Sequence, residues 1–414
     1  MSETAPKRPP LLGFDVAKEQ LLSFATAPTI TEDIPLLKAH GRVLAESVIS
    51  PMDVPAFANS SMDGYAICPA DPNASPLQLT VTQRIAAGSY GTELSPGQAA
   101  RIFTGAPVPP GTWAVVPQEL VQVNGDQITI EQQVSAGDHV RAQGEDISAG
   151  TEIIAPGKKL KPADLALAAS VGVTRVSTFK PLTVAILLTG DELVEPGNPL
   201  GPGQIYNSNR YWLQSLLTEI GCNVLDPGIV RDTPTETRAA LSEASQKADV
   251  IITCGGVSVG EEDHVRAAVA SMGRIDLWQI AMKPGKPLAY GKANDADFIG
   301  LPGNPVSAFV TFMLMGLPFL QVRMGLPVST PAPKILTADF DWTKPDRRRE
   351  FIRVRQKTDA QGNISLDRWP NQGSGVMSSV AWADGLVDIA PGQTIARGDA
   401  VRYLSLSELL GQAK

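Results

Sequence analysis

Carboxylates follow several apolar runs of this sequence and are the side chains best suited to bind a metal. Glu192 and Asp232 each come just after a β-type run, and Asp263 stands immediately before a helical pattern. Carboxylate oxygens suit a hard cation such as Mg²⁺, whereas the three histidines of the chain show no ligand spacing. Taken singly, each carboxylate is better explained as a helix cap. Taken as a set at strand ends, they predict a magnesium site.

A glycine-rich segment follows the apolar run at 248–254, which predicts a buried strand. The residues of this segment that could bind an anion through the backbone are Gly255, Gly256, Ser258 and Gly260. A strand that leads through such a turn into a helix exposes N–H groups to a phosphate. The spacing matches neither a Walker A loop nor G-x-G-x-x-G. A tight strand-to-helix connection explains the same glycines equally well, so both interpretations stay open.

Two lysines lie close together in the segment Lys283-Pro-Gly-Lys286, between two β-type runs. Proline and glycine stiffen this loop and would hold two ammonium groups at a fixed separation, which suits an oxyanion. A basic surface turn is the alternative. In the tail, strand alternation places Arg349, Phe351 and Arg353 on one face. That face could bind an anion, although a solvated edge strand is the more common explanation.

The elements that would position these residues form an α/β domain. From Leu182 onward, apolar β-type runs alternate with helical patterns, which is typical of a doubly wound parallel sheet in three layers. Ligands of such sheets lie beyond the carboxyl ends of the strands. Glu192, Asp232, the turn at 255–263 and the segment from Pro302 to Pro305 would all lie at that edge. Their convergence favours a binding site over a set of unrelated turns.

The regions on either side of the α/β domain have a different sequence pattern. Short β-type runs separated by Gly, Pro and Asn indicate a β-rich lobe at 56–144, with a hairpin predicted at Asn124-Gly125. Further short runs indicate a small C-terminal β-barrel at 328–414. We therefore predict a linking or dimerisation domain at 12–55 and 145–180, and the α/β domain at 181–327. Other predicted elements are a helix at Asp15–Ala25 with Asp15 as its N-cap, and strands at Arg101–Thr104 and Val224–Val230. A further helix is predicted after the second of these strands, with Thr233 as its cap.

Composition excludes several classes of protein. A chain of 414 residues with a net charge of −8 is an improbable partner for nucleic acid. Three isolated cysteines argue against disulfides and structural zinc. The polar, proline-rich residues 1–10 do not resemble a signal peptide. The apolar stretch from Val306 to Leu320 is shorter than a bilayer span and predicts a buried helix. These features indicate the cytoplasm and no membrane partner.

The order of the motifs is similar to that of a known family. The sequence resembles the molybdopterin molybdenumtransferases, the bacterial MoeA family, to which the E domain of gephyrin is related. The resemblance spans nearly the whole chain and is carried by these segments: Asp53-Val-Pro, Asn59-Ser-Ser-Met-Asp-Gly-Tyr65, Thr104-Gly-Ala-Pro-Val-Pro109, Gly144-Glu-Asp-Ile147, Thr189-Gly-Asp-Glu-Leu193, Gly255-Gly-Val-Ser-Val-Gly260, Lys283-Pro-Gly-Lys-Pro287 and Leu301-Pro-Gly-Asn-Pro305. One departure is Asn207, where related sequences often carry Asp.

The resemblance implies an activity: insertion of molybdate into adenylylated molybdopterin with Mg²⁺, which releases AMP and forms molybdenum cofactor. It implies a homodimer whose site lies between the α/β domain of one subunit and the β-rich lobe of the other, and it allows contacts with other proteins of cofactor biosynthesis. By motif match it implies these site residues: Asp63, Thr104, Asp146, Glu192, Asp232, Asp263, Lys283, Lys286, Pro302, Pro305, Arg353 and Ser374. The alternatives are a molybdopterin adenylyltransferase, whose fold resembles the α/β domain, and a gephyrin-like scaffold.

Overall fold

The computed structural model describes residues 11–256, 264–328 and 331–411. Within it the chain divides into two compact units. The first contains the described parts of 1–32, 41–45 and 178–414, and the second contains 33–40 and 46–177. Each unit has its own hydrophobic core.

The first 180 residues are dominated by short strands. In chain order the elements are α1 (Phe14–Ser23), β1 (Thr31–Pro35), a 3₁₀ turn (Leu36–Lys38), β2 (Val48–Ile49), β3 (Asn59–Ser60), β4 (Gly64–Cys68), β5 (Leu77–Ile85), β6 (Gln98–Ile102), β7 (Ala114–Pro117), a 3₁₀ turn (Gln118–Leu120), β8 (Gln122–Asn124), β9 (Gln127–Ile130), β10 (Val140–Arg141), β11 (Glu152–Ile154), α2 (Pro162–Ser170) and β12 (Arg175–Phe179).

The β-rich lobe is a six-stranded sheet in the order β7-β4-β6-β5-β9-β8. Its two faces are covered by separate apolar clusters, one around Ile67 and Leu79 and the other around Ile85 and Ile102. The predicted hairpin is confirmed, because β8 and β9 pair antiparallel around Gly125, whose φ is +61°. This turn requires a positive φ, which glycine adopts without strain.

The α/β region and the tail lie in the first unit. Their elements are β13 (Thr183–Thr189), β14 (Leu193–Val194), β15 (Ile205–Tyr206), α3 (Ser208–Ile220), β16 (Asn223–Leu225), β17 (Ile229–Val230), α4 (Pro234–Lys247), β18 (Val250–Cys254), α5 (His264–Met272), β19 (Gly273–Gln279), β20 (Met282–Lys283), β21 (Pro287–Ala293), β22 (Ala296–Leu301), α6 (Pro305–Thr311), a π-helical turn (Phe312–Gly316), α7 (Leu317–Arg323), β23 (Lys334–Ala338), β24 (Arg349–Thr358), β25 (Ile364–Arg368), α8 (Met377–Trp382), β26 (Gly385–Ile389), β27 (Ala400–Ser405) and α9 (Leu406–Leu409).

The sheet of the α/β region confirms the predicted layered architecture. Strands β16, β13, β18 and β22 run parallel, and an antiparallel hairpin of β21 and β19 extends the sheet beyond β22. Successive residues of β13 alternate between two cores, since Val184 and Ile186 belong to one and Ala185 and Leu187 to the other. Apolar residues on both faces of a strand are what a sheet buried between two helical layers requires.

The tail forms a closed five-stranded barrel. Strands β24, β25, β23, β27 and β26 pair in that order, and β26 returns to pair with β24. Strand β20, which immediately precedes Pro284, adds to the barrel beside β24. The chain therefore links the α/β region to the barrel at the lysine-containing loop.

The apolar helix of residues 305–323 lies in the core of this unit. It is the one helix among the described residues that is long and apolar enough to cross a membrane. Most of it is buried, however, and Phe312, Met313 and Phe319 are 0% exposed. The prediction of a buried helix is confirmed.

Three local predictions are wrong in detail. Asp15 does not cap α1, because the helix begins at Phe14 after Gly13 and the Asp15 carboxylate instead accepts hydrogen bonds from Arg349. The predicted strand from Arg101 to Thr104 ends at Ile102, because the N–H of Thr104 donates to a side chain and not to a neighbouring strand.

The third concerns the run from Val224 to Val230, which we predicted as one strand. It is split into β16 and β17, because the Asp226 carboxylate accepts the N–H of Gly228 at 2.9 Å and turns the chain between them. The predicted cap of the following helix is present, since the Thr233 hydroxyl accepts the N–H of Glu236 at 3.3 Å.

Candidate functional site

The carboxyl ends of four parallel strands meet at one edge of the α/β sheet. Strand β13 pairs with β17 through Thr189 and Val230 and with β18 up to Thr253. Strand β18 pairs in turn with β22 as far as Leu301. The turns that follow these strands carry four of the predicted site residues: Glu192, Asp232, Gly255 and Pro302. The strand register therefore brings these turns to one edge, as the sequence pattern predicted.

Two glycines at this edge allow neighbouring turns to approach closely. The N–H of Gly255 donates to the carbonyl of Leu301 at 2.9 Å, and a Cβ at Gly303 would lie 3.6 Å from the Gly255 Cα. Gly255 and Gly256 have φ values of +96° and +65°, which favour glycine. A Cβ at Gly256 would also lie 2.6 Å from the Val265 side chain. The geometry of these glycines is thus required for packing, whether or not an anion binds.

The predicted acidic set is only partly described. Glu192 is exposed and Asp232 is half-buried, and each follows a strand at the same sheet edge. Asp263, Ser258 and Gly260 lie outside the described residues. Among the residues that the structure does describe, no group of three His, Cys, Asp or Glu side chains could hold a metal. Mg²⁺ commonly uses one or two carboxylates and completes its shell with water and substrate phosphate, so the oxygen donors present fit that ion.

The two lysines of the loop have different surroundings. The Lys283 ammonium lies 2.8 Å from Glu350 and 3.3 Å from Asp346. Burial alone would lower the pKa of Lys283, but its hydrogen bonds to these carboxylates raise it above the ordinary value. Lys286 is half-buried and forms no ion pair with any described residue. The loop therefore offers one ammonium that is paired with carboxylates and one that forms no ion pair among the described residues.

Arg353 is buried in the barrel and does not lie on a solvated strand. Its side chain is 1% exposed, so the edge-strand interpretation is wrong for this residue. Its Nε donates to the Ser379 hydroxyl at 3.0 Å, and its Nη2 donates to the carbonyl of Gly373 at 3.1 Å. Burial lowers the pKa of Arg353 to about 10. It forms no ion pair with a carboxylate in the described part of the chain, so neutral hydrogen-bond partners stabilise its buried charge.

The loop after β25 connects Arg353 to the sheet edge. Ser374 follows Gly373, the residue whose carbonyl Arg353 contacts, and the Ser374 carbonyl accepts the N–H of Val306 at 3.0 Å. Val306 directly follows Pro305, which begins α6. The structure therefore brings Pro302, Pro305, Ser374 and Arg353 into one neighbourhood, although they come from two parts of the sequence.

In the second unit, Asp63 and Thr104 form a direct pair. The Asp63 carboxylate accepts hydrogen bonds from the Thr104 N–H at 2.8 Å and from its hydroxyl at 2.9 Å. The N–H bond, followed by the hydroxyl bond, holds the pKa of Asp63 below its ordinary value. The third predicted residue of the lobe, Asp146, is exposed, and its N–H donates to Val54.

The loop that carries Asp146 is held by Asp53. The Asp53 carboxylate accepts the N–H of Ala149 and the amide of Gln143, each at 2.8 Å, which lowers the pKa of Asp53. Asp53 therefore has a structural role within the segment that resembles the family motif.

Several neighbours of the site give no spacing signal in the sequence. Glu350 binds Lys283, and Asn209 donates to the Gly303 carbonyl at 2.9 Å. The departure at Asn207 also has a structural explanation. Asn207 is 1% exposed, and its side chain caps α3 by accepting the N–H of Arg210 at 3.4 Å. Only the register of β20 beside β24 would have indicated the Lys283–Glu350 pair.

Comparison with known proteins assigns the whole chain to one family. Profiles of three regions match in succession: the MoeA N-terminal region (domain I and II) at residues 12–172, a probable molybdopterin binding domain at 185–322 and the MoeA C-terminal region (domain IV) at 336–406. The molybdopterin molybdenumtransferase of Haemophilus influenzae is 38% identical over 405 residues, which cover 97% of this chain and 100% of that protein. The chain belongs to the MoeA family.

Other MoeA proteins agree with this assignment. Molybdopterin molybdenumtransferase 2 of Mycobacterium tuberculosis is 37% identical over 369 residues, which cover 86% of this chain and 90% of that protein. The crystal structure of a MoeA molybdopterin biosynthesis protein from Pyrococcus horikoshii superposes with a TM-score of 0.81 at 30% identity, covering 96% of this chain and 99% of that one. The MoeA fold therefore extends over both compact units.

Proposed function

We propose that this protein is a molybdopterin molybdenumtransferase of molybdenum cofactor biosynthesis. The reaction would insert molybdate into adenylylated molybdopterin, releasing AMP and forming molybdenum cofactor. The observation that carries the proposal is the match to molybdenumtransferases along nearly the entire chain, including the β-rich lobe and the barrel. A molybdopterin adenylyltransferase would need only the α/β region, and no feature of the described residues favours that activity or a scaffold.

The uncompensated cations of the first unit support binding of an anionic substrate. Arg353 is buried beside the Ser374 loop, and Lys286 has no ion pair among the described residues. Molybdate and the phosphates of the substrate are oxyanions that these groups would attract and orient. Gly255 and Gly256 would let the substrate approach the backbone at the sheet edge.

The carboxylates would serve a Mg²⁺ ion. Glu192 and Asp232 are the described candidates, and Asp263 is a further candidate outside the described residues. When bound, the ion would neutralise charge on the phosphates of the substrate. Asp63 is kept ionised by its two bonds from Thr104, so it would orient a donor group of the substrate and would not deliver a proton.

The proposal includes three further statements that rest on the family resemblance. The protein would act as a homodimer in the cytoplasm, and its chain would divide into the four domains predicted above. Each active site would combine residues from both subunits. Mixing an Asp63→Ala variant with an Asp232→Ala variant would then restore activity in mixed dimers, whereas either variant alone would be inactive.

The direct test follows AMP release. The protein is incubated with adenylylated molybdopterin, molybdate and Mg²⁺, and AMP is quantified over time. Asp232→Ala should abolish Mg²⁺-dependent release, while Asp295→Ala, which removes an exposed carboxylate from the turn between β21 and β22, should not change it. Retained release in both Asp232→Ala and Asp263→Ala would contradict the assigned roles. ATP consumption with molybdopterin would instead support an adenylyltransferase.

A further inference from the structure

The β-rich lobe presents two arginines on one face of its sheet. Arg84 of β5 and Arg101 of β6 are register partners in a parallel pair, so their side chains leave the sheet on the same side. Arg84 is exposed and Arg101 is half-buried. Like charges at facing positions on neighbouring strands are destabilising. An anion bound between the two groups would offset that repulsion.

An aromatic ring holds both guanidinium groups. The Cζ atom of Arg84 lies 4.6 Å from the centre of the Phe103 ring, and that of Arg101 lies 4.8 Å from it. Arg101 also lies 5.2 Å from the centre of the Tyr65 ring. These contacts attract a cation to the electron-rich ring face but leave its charge in place. We call Arg84, Arg101 and Phe103 the arginine platform.

The hydrogen-bond partners of the platform are also neutral. Arg101 donates to the carbonyl of Gly64 at 2.9 Å and to the side-chain oxygen of Gln118. Neither arginine forms an ion pair with a carboxylate in the described part of the chain. The charge of Arg101 contributes to lowering the pKa of Asp63, but the two form no ion pair, and one oxygen of that carboxylate already accepts both bonds from Thr104. Arg84 likewise forms no ion pair with any carboxylate that the structure describes.

We propose that the arginine platform is a binding site for a tetrahedral oxyanion, specifically the phosphate of the nucleotide part of the substrate. A guanidinium group offers a planar set of N–H donors that matches phosphate oxygens, and two adjacent groups can contact one phosphate together. Stacking on Phe103 orients the groups before the ligand arrives, which reduces the entropy lost on binding. The platform directly precedes Thr104, so the phosphate would lie beside the Asp63–Thr104 pair.

The choice of a nucleotide phosphate rests on the proposed function, whereas the oxyanion site rests on the arginines alone. The test is calorimetric titration of the full-length protein with AMP, with adenosine, inorganic phosphate and molybdate as separate ligands. Arg84→Gln and Arg101→Gln should each weaken AMP binding about tenfold, which corresponds to about 1.4 kcal/mol. Arg355→Gln, which removes an exposed arginine of the barrel, should leave AMP affinity unchanged. Adenosine binding should not depend on either platform arginine.

The contribution of the Phe103 ring to AMP binding is tested with separate variants. Phe103→Leu should weaken AMP binding several-fold without changing the net charge. Phe103→Tyr, which keeps an aromatic ring, should bind AMP as tightly as the wild-type protein. Arg84→Lys should recover only part of the affinity, since an ammonium lacks the planar donor set. Circular dichroism of each variant verifies that the lobe remains folded.

The outcomes separate the site from the overall activity. Equal AMP affinity in the wild-type protein and both glutamine variants would overturn the proposal, as would an absence of AMP binding by the wild-type protein. Phosphate or molybdate binding that depends on the arginines, without such dependence for AMP, would retain the oxyanion site but overturn the nucleotide assignment. Arginine-dependent AMP binding without AMP release from adenylylated molybdopterin would refute the proposed function and leave the site standing.

Discussion

Replacing Gly285 by alanine should destabilise the loop that carries Lys286 through two separable effects. Gly285 has a φ of +98°, and a Cβ there would lie 2.2 Å from the Thr311 hydroxyl oxygen and 3.3 Å from the Ser307 carbonyl. The left-handed backbone costs an alanine about 1–2 kcal/mol. Crowding in a packed site adds about 1–3 kcal/mol. We therefore expect a total loss of about 2–5 kcal/mol.

A matched control isolates the crowding. Gly398 lies in the same compact unit with a φ of +96°, and a Cβ there would meet no heavy atom within 4 Å. Gly398→Ala should therefore cost only the backbone contribution of about 1–2 kcal/mol. Both substitutions restrict the unfolded chain equally, so that contribution cancels in the comparison.

A second substitution tests the identity of the clash. The Thr311 hydroxyl is buried and has no hydrogen-bond partner among the described residues, so little hydrogen-bond energy is lost on its removal. Thr311→Ala in the Gly285→Ala background should recover about 1–3 kcal/mol. The assay is hydrogen exchange by mass spectrometry on peptides from this unit, which reports the free energy of opening. Equal losses for the two glycine variants, or no recovery with Thr311→Ala, would refute the reasoning.

Three further perturbations follow from described contacts. Lys283→Met should cost about 1–3 kcal/mol because it removes the ammonium from the Glu350 carboxylate, whose side chain is 2% exposed and keeps the hydrogen bond from the Trp342 Nε1–H at 3.0 Å. The double variant with Glu350→Gln should recover most of this loss in the same exchange assay. Thr104→Val should raise the pKa of Asp63 toward its ordinary value in a carboxyl NMR titration, while Thr104→Ser should not. Because that pKa is lowered in the folded state, the stability contributed by Asp63 is lost as pH falls through the unfolded and then the folded pKa. In the valine variant the total loss should be smaller and should be complete at a higher pH. Thr233→Ala should cost about 1 kcal/mol through loss of the α4 cap, whereas Thr233→Ser should retain it, as measured by thermal unfolding.

Local signals explain why much of the fold is predictable. The α/β sheet was evident because buried parallel strands are continuous apolar runs and because helix caps such as Thr233 mark where helices begin. Asn124-Gly125 indicated its hairpin, since a tight turn of this kind depends on residues adjacent in sequence. The convergence of turns at one sheet edge followed from parallel pairing alone.

The errors occurred where a distant side chain competes with the local pattern. Asp15 reads as a helix cap, but its carboxylate pairs with Arg349, more than 300 positions away. Arg353 reads as part of a solvated strand, but closure of the barrel buries it at 1% exposure. The outcome in both cases depends on which strand or helix lies opposite, and residue type and spacing carry no information about that.

The same distinction between local sequence and distant contacts applies to the residues of the candidate site. The sequence by itself determined which groups are present: the carboxylates after the strands, the glycines at 255 and 256, the two loop lysines and the motif order of the family. Only the tertiary structure decided their chemical state. It paired Lys283 with Glu350 and left Lys286 uncompensated, joined Ser374 to Val306, and stacked Arg84 and Arg101 on Phe103. Charge and pKa depend on neighbours and burial, which exist only after the chain has folded.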